Sequence, residues 1–213
     1  MKSQTHYQPH SVQSFSGPEG DIGAIGGALS EIIKIAAADL SPPEETSEQK
    51  AASKLRALAE NSLYEFVKQA WVIVEPGKAY VDCWHVKAIC DHLQAVYDGK
   101  IKNLLITLPP GVAKSLTVCV FWPAWAWIHQ PELRWFFATY SQSYTLRDSD
   151  RCRMLILSDW YQHNWSHVKI RSEQNSKTKF ETVQTGWRMA TSVGGLGTGE
   201  HPDIIGIDDA VNV

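Results

Sequence analysis

One stretch of the chain, an apolar run followed by a turn and a helix-length segment, constrains its fold most. Residues 104–108 read Leu-Leu-Ile-Thr-Leu, and such a short continuous apolar run predicts a buried parallel strand. The turn Pro109-Pro110-Gly111 follows, and residues 115–128 are long and apolar enough to form a helix. Further strands are predicted at 133–139, 179–184, 187–192 and 203–207. Strands that alternate with helices indicate an α/β sheet.

The 213 residues divide into three segments. Residues 1–45 are polar at their start and end in a Pro-Pro-Glu-Glu linker, so we expect them to be disordered or partly helical. Residues 46–100 carry apolar side chains at helical spacing, which predicts a helical lead-in to the rest of the chain. Residues 101–213 hold the strand signals and the motifs described below, and we expect them to form the core domain.

The composition excludes several classes of protein. Apolar residues make up 44% and charged residues 20% of the chain, which is typical of a soluble globular protein. The net charge of −3 provides no strong basic field for nucleic acid, so a phosphate-bearing partner must be argued from local residues. The four cysteines form no Cys-x-x-Cys pair, and the N-terminus has no signal-peptide pattern. The sequence shows no membrane span, and we expect a cytoplasmic protein with no membrane partner.

The turn after the apolar run has features of a phosphate-binding loop. Lys114 and Ser115 open the predicted helix, where a lysine can reach terminal phosphates and a serine hydroxyl can bind Mg²⁺. The general pattern Gly-x4-Gly-Lys-Ser/Thr is met only at its last two positions, because Leu108 and Ala113 stand in place of the glycines. An ordinary strand–helix turn with a chance Lys-Ser is the alternative. The candidate nucleotide contacts in this loop are Pro110, Gly111, Val112, Ala113, Lys114, Ser115 and Leu116.

Two adjacent carboxylates follow the last predicted strand. The apolar run Ile204-Ile-Gly-Ile207 ends in Asp208 and Asp209. A site that hydrolyses a nucleotide needs one acid for the metal ion and a second acid for the attacking water. We therefore predict that Asp208 serves Mg²⁺ and that Asp209 activates water. A strand that ends in a solvated acidic turn is the alternative for this motif alone, but its joint occurrence with Lys114 and Ser115 favours a nucleotide site.

At these residues the chain resembles the ATPase domain of tailed-phage terminase large subunits, the motors that package DNA into a procapsid. The resemblance covers roughly residues 62–211 and is carried by four stretches. These are Asn103-Leu-Leu-Ile-Thr-Leu-Pro-Pro-Gly-Val-Ala-Lys-Ser115, Phe121-Trp-Pro-Ala-Trp-Ala-Trp127, Phe137-Ala-Thr-Tyr-Ser-Gln-Ser143 with Arg147-Asp-Ser-Asp-Arg-Cys-Arg153, and Gly194-Gly195 with Thr198-Gly199 running into Ile204–Asp209. The fold it implies is a P-loop NTPase of the additional-strand type. Such a fold has a mostly parallel central sheet flanked by helices, here with an N-terminal helical appendage and an incomplete C-terminus.

The resemblance also implies roles for individual residues. Lys114 and Ser115 match the contacts to phosphate and Mg²⁺, and Asp208 and Asp209 match the acids for metal and water. His85 lies where the family approaches the adenine, although an ordinary histidine on a helix surface explains it as well. The loop holds no arginine, so the charge-neutralising arginine must come from elsewhere. We favour Arg151 for that role, with Arg147 and Arg153 as further candidates and solvated Arg-Asp pairs as the alternative.

The function implied by the resemblance is ATP hydrolysis, with ATP and Mg²⁺ as cofactors, in a motor that packages viral DNA. The implied partners are double-stranded DNA, the small terminase subunit and the portal protein, with a homo-oligomeric ring as the working assembly in the bacterial cytoplasm. The family's nuclease domain has no counterpart in this sequence, so we expect a fragment whose own hydrolysis is doubtful. A helicase-like ATPase and an inactive terminase remnant that acts only as a binding module are the alternatives.

Overall fold

The computed structural model describes residues 27, 29–34, 46–195 and 199–210. The chain forms two compact units, Met1–Thr46 and Ser47–Val213. In the first unit, residues 29–34 are helical and exposed, and the remainder of the prediction for residues 1–45 lies almost wholly outside the described residues. The second unit holds the sheet and the predicted motifs.

Helices occupy the first half of the second unit and flank its first strand. The apolar spacing from Thr46 to Ala70 falls on two helices that meet at Ser62, because Ser62 adopts an extended conformation and its hydroxyl accepts a hydrogen bond from the amide of Glu65. The helix after the 109–115 loop contains a π-helical turn at Thr117–Phe121. The α-helices are α1 (Ser47–Asn61), α2 (Leu63–Val74), α3 (Trp84–Tyr97), α4 (Lys114–Leu116), α5 (Trp122–His129), α6 (Gln142–Leu157) and α7 (Asp159–Asn164).

Five strands form one mixed sheet in the order β2-β3-β4-β1-β5. Strand β1 pairs in parallel with β4 on one side and with β5 on the other, whereas β2 with β3 and β3 with β4 are antiparallel. The predicted mostly parallel sheet of an additional-strand P-loop NTPase is therefore wrong. The short connections between β2, β3 and β4 account for this, because parallel neighbours need a long crossover. The strands are β1 (Arg134–Thr139), β2 (Ile170–Asn175), β3 (Lys179–Thr182), β4 (Trp187–Ser192) and β5 (Ile204–Asp208).

The apolar run at residues 104–108 is not a strand. Leu104, Ile106 and Leu108 pack against the core, while the side chain of Leu105 is 89% exposed. The side chains thus alternate between inside and outside as in a strand, but no strand of the described sheet pairs with this segment. The prediction failed because apolar periodicity reports which side chains are buried and does not report which backbone groups are paired.

Aromatic side chains fill much of the core between the helices and the sheet. Trp122, Trp125 and Trp127 are all buried and belong to this core. The rings of Trp122 and Trp135 meet edge to face at 4.9 Å, so α5 is anchored directly on β1. Within the described residues, no helix combines the length and apolarity needed to cross a membrane.

Candidate functional site

The carboxyl ends of β1 and β5 lie side by side because the two strands are parallel neighbours. Thr139 and Asp208 are register partners at the end of this ladder. One residue further, the amide of Tyr140 donates a hydrogen bond of 3.0 Å to the carbonyl of Asp209. Asp209 itself turns the chain out of the strand with a φ of +43°. The two predicted acids therefore stand at the rim of the sheet, one at the strand end and one in the turn.

The loop at residues 109–115 is shaped by two residues with positive φ. Gly111 has a φ of +84°, and Ala113 has a φ of +60° with a ψ of 15°. Such a left-handed conformation costs an alanine roughly 1–2 kcal/mol because of its Cβ. The carbonyl of Ala113 is held by two donors, the amide and the hydroxyl of Thr117, each at 2.9 Å. This conformation places Lys114 at the start of the helix.

Lys114 and the two acids converge on one point. The Lys114 Nζ lies 3.0 Å from Asp209 Oδ1 and 3.4 Å from Asp208 Oδ1. The Asp208 side chain is only 14% exposed, whereas that of Asp209 is 73% exposed. Burial opposes the charge on Lys114, but the hydrogen bond to Asp209 and the two carboxylate charges outweigh it and raise the pKa of Lys114. The cluster holds one cation against two anions and so has capacity for a further cation.

The donor set at this point suits a hard divalent cation. Within the described residues, no group of three or more His, Cys, Asp and Glu side chains comes together as a metal cluster. Mg²⁺ does not require one, because it is usually held by one or two carboxylates together with water and substrate phosphates. Asp208 supplies a carboxylate at this point. Ser115, the residue after Lys114, carries a hydroxyl, and carboxylate and hydroxyl oxygens are donors of the kind that Mg²⁺ accepts.

An apolar pocket of about 210 Å³ leads away from the loop along α3. His85 is half-buried in its wall, and the neighbouring Trp84 is 80% exposed. Leu108, directly before the loop, lines the same pocket. The structure thus brings His85 to a cavity that adjoins the loop. Of the remaining predicted contacts, Pro110 and Gly111 are exposed and Val112, Ser115 and Leu116 are half-buried.

Arg151 does not point to the Lys114 cluster in this structure. Its Nη2 lies 3.0 Å from Glu75 Oε1, at the end of α2. Arg147 pairs with Asp148 at 2.9 Å, and Arg153 pairs with Asp150 at 2.9 Å. A role in charge neutralisation for Arg151 therefore requires its ion pair with Glu75 to open.

A second cavity was not predicted from the sequence. It is an open cleft of about 880 Å³ beside the carboxyl ends of β1, β4 and β5. The residues that line this cleft follow the ends of β1, β4 and β5 in the sequence, and ligands bind beside such strand ends in α/β sheets. That position is the signal from which the cleft could have been predicted. The cleft is lined by Tyr140, Ser141, Gln142, Ser192, Val193, Gly194 and Ala210.

Four basic residues lie in or near β2 and β3, and ion pairs neutralise the charge of three of them. The four are Lys169, Arg171, Lys177 and Lys179. Lys177 pairs with Asp150 and Lys179 pairs with Glu200, each at 2.9 Å. Arg171 lies 3.8 Å from Glu181. These ion pairs leave little net positive charge for nucleic-acid phosphates at this face.

Comparison of the chain with protein-family models and with curated protein sequences gives no match. Any statement about function therefore depends on the site itself and on the resemblance described above.

Proposed function

We propose that this chain binds Mg²⁺·ATP between the 109–115 loop and the acids at the end of β5, and that it hydrolyses the nucleotide as a motor domain. One observation supports this above all. The loop lysine, Lys114, and two adjacent carboxylates from a residue pair far along the chain meet within 3.4 Å at the rim of the sheet. Lysine and paired acids at the carboxyl end of a strand are the groups that phosphoryl transfer to water requires.

Each residue then has a distinct task. Lys114 leaves its carboxylate partners and donates to the terminal phosphates, where its charge offsets the charge that develops during transfer. Bound Mg²⁺ would neutralise phosphate charge, with Asp208 and Ser115 as its protein ligands. Asp209, the more exposed acid, accepts a proton from the attacking water. Ala113, in the αL conformation, is the cap residue of the short helix that carries Lys114 and Ser115.

The pocket beside the loop is a suitable place for the base. Its apolar wall and the exposed indole of Trp84 offer a surface on which a flat aromatic ring can stack. His85 stands in the same wall and can hydrogen-bond to a ring nitrogen. The volume of about 210 Å³ is below the roughly 300–1,000 Å³ of pockets that enclose a whole small-molecule ligand, so the phosphates must extend out of it toward Lys114.

Binding of ATP by the purified chain, with and without Mg²⁺, tests this proposal. We expect Lys114→Ala to weaken binding about 30-fold or more, because charge-assisted hydrogen bonds contribute roughly 2 kcal/mol and 1.4 kcal/mol is tenfold. Asp208→Asn should remove most of the dependence on Mg²⁺. Lys177→Ala is the matched control, since Lys177 also forms an ion pair of 2.9 Å with an acid distant in sequence. Equal ATP affinity for the wild type and Lys114→Ala would refute the proposal.

Hydrolysis is measured separately from binding. We expect Asp209→Asn to bind ATP like the wild type and to hydrolyse it about 100-fold or more slowly, as for loss of a general base. If the wild type binds Mg²⁺·ATP without turning it over, the chain is a nucleotide-binding module. If it binds no nucleotide, the alternative of an inactive remnant stands.

The wider role follows from the resemblance alone. We propose that the motor packages viral double-stranded DNA in the cytoplasm of a bacterial host, as a ring together with the small terminase subunit and the portal protein. Stimulation of hydrolysis by duplex DNA, and not by single strands, would favour the packaging motor. The reverse preference would favour a helicase-like ATPase.

A further inference from the structure

A buried arginine near the start of β4 has no part in the site as described so far. Arg188 is fully buried, and its guanidinium carbon lies 4.5 Å from the centre of the Phe137 ring. Its Nη2 donates a hydrogen bond of 3.0 Å to the carbonyl of Cys119. Among the described residues, its Nε and Nη1 have no hydrogen-bond partner. A charged group thus lies in the core with a single hydrogen bond.

No carboxylate neutralises this charge by direct contact in the described residues. Asp148 is also buried, but its carboxylate is engaged by Arg147 at 2.9 Å. Burial lowers the pKa of Arg188, and the nearby Cys152, Cys119 and Asp148 only partly oppose that effect. A buried charge without an ionic partner is a poor source of stability, and an apolar side chain of similar size is often as stable or more stable in its place. The contribution of Arg188 must therefore lie in the group that it holds.

That group belongs to the π-helical turn. Thr117–Phe121 is wound as a π-helix, and at its end the amide of Trp122 donates to the carbonyl of Thr117, five residues back. Turns of this kind are rare and lie frequently at functional sites, because the local backbone differs from the regular helix on both sides. Arg188 binds the carbonyl of Cys119 at the centre of this turn.

A short series of contacts connects the π-helical turn to the loop. Thr117, the first residue of the turn, is fully buried and donates twice to the carbonyl of Ala113. Ala113 is the left-handed residue that sets the direction of Lys114. Arg188 therefore holds the π-helical turn from the side of the sheet, and the turn holds Ala113, the residue directly before Lys114.

We propose that Arg188 is a positioning residue for the 109–115 loop: its bond to the Cys119 carbonyl holds the π-helical turn so that Lys114 faces Asp208 and Asp209. The geometric part of this inference concerns the free protein. Its consequence for ATP rests on the proposed function. Two measurements keep the parts separate.

The first measurement is amide hydrogen exchange of the free protein. Arg188→Met fills a similar volume without a donor, and Arg188→Lys keeps one charged donor. We expect Arg188→Met to speed amide exchange at residues 114–122 by about tenfold or more, because a hydrogen bond to a charged group is lost there. The amides of α3 and α7 should stay as protected as in the wild type. Arg188→Lys should restore protection to within about threefold.

The exposed Arg171 on β2, two strands away from Arg188 in the same sheet, provides the matched control as Arg171→Met, which should leave exchange unchanged. Unchanged exchange at 114–122 in Arg188→Met, or a uniform rise over the whole core, would overturn the proposal. If Arg188→Met does not fold, Arg188→Gln replaces it, because its amide ends at the position of the arginine Nε and does not reach the Cys119 carbonyl. The same two results would then decide the matter.

The second measurement is Mg²⁺·ATP affinity of the folded variants. We expect Arg188→Met to bind about tenfold or more weakly and Arg188→Lys to recover most of the affinity, the pattern expected when one charged hydrogen bond is lost and restored. If Arg188→Met changes exchange locally at residues 114–122 and the wild type binds no ATP, the positioning role is supported and the proposed function is refuted. Full affinity in Arg188→Met would refute the positioning role and leave the proposed function intact.

Discussion

Gly206 in β5 offers a sharp test of how the sheet supports the site. A Cβ added at this position would lie 2.5 Å and 2.6 Å from two carbons of the Phe137 ring, where ordinary contacts begin at 3.4 Å. Gly206 is the register partner of Phe137 in the β1–β5 ladder. It is also two residues before Asp208, so a shift at this point is transmitted directly to the acids.

The Phe137 ring cannot easily withdraw from an added methyl group. It stacks on the Trp135 ring at 6.0 Å, with 6° between the ring planes, and it lies under the Arg188 guanidinium. A retreat of roughly 1 Å would therefore disturb both neighbours or separate β5 from β1. Overpacking of this kind destabilises by about 1–3 kcal/mol, and we expect Gly206→Ala to lose that much free energy of unfolding.

Urea denaturation measures the loss, and two further variants locate its cause. Gly77→Ala is the matched control, because a Cβ at Gly77 meets nothing within 4 Å and we expect a change below about 0.5 kcal/mol. Gly206→Ala combined with Phe137→Leu should be less destabilised than the sum of the single changes, since the smaller side chain makes room. A Gly206→Ala protein as stable as the wild type would refute this reasoning, and so would a double variant with additive effects.

Two further predictions concern single interactions. Asp203 accepts three hydrogen bonds from Arg134, and these hold the pKa of its carboxyl group below the ordinary value of 3.8. The pair therefore stabilises the fold fully above about pH 4, and its contribution to the free energy of unfolding decreases as the pH falls through the lowered pKa. The stability of the wild type should therefore fall more steeply below about pH 4 than that of Asp203→Asn, and parallel pH profiles in urea denaturation would contradict this. Ala113→Gly removes the left-handed penalty of about 1–2 kcal/mol, but glycine also stabilises the unfolded state by about 0.4–1 kcal/mol through its greater conformational entropy. We therefore expect the free energy of unfolding to rise by about 0.5–1 kcal/mol in the same assay, and a decrease would contradict the strain assigned to Ala113.

The sequence allowed most elements to be predicted but not the pairing between them. Strands at 133–139, 187–192 and 203–207 are confirmed to within a few residues, because each contains aromatic or β-branched residues and is bounded by turn residues. The run at 104–108 is more uniformly apolar than these segments and is not a strand. What separates these runs is the presence of a neighbour with free backbone groups, and this depends on residues distant in sequence.

The direction of the strands was the second error, and its cause lies in the short turns. Thr185 and Gly186 lie in the short turn between β3 and β4. A Cβ at Gly186 would meet the carbonyl of Pro131 at 2.1 Å, so this turn is packed against the segment before β1 and needs glycine. A tight turn makes its two strands antiparallel, and β3 with β4 obeys that rule. The resemblance had favoured parallel strands over this local signal.

The convergence of Lys114 with the acids is independent of both errors. The antiparallel part of the sheet contains β2, β3 and β4, whereas Asp208 ends β5, which pairs only with β1 in the described sheet. That one parallel pairing is enough to direct the end of β5 to the rim where β1 also ends. Lys114 reaches this rim through the αL residue Ala113 and the helix behind it, and it does so although residues 104–108 form no strand. The αL residue Ala113 and the parallel β1–β5 ladder therefore determine the site, and the substitutions at Ala113 and Gly206 alter the two features separately.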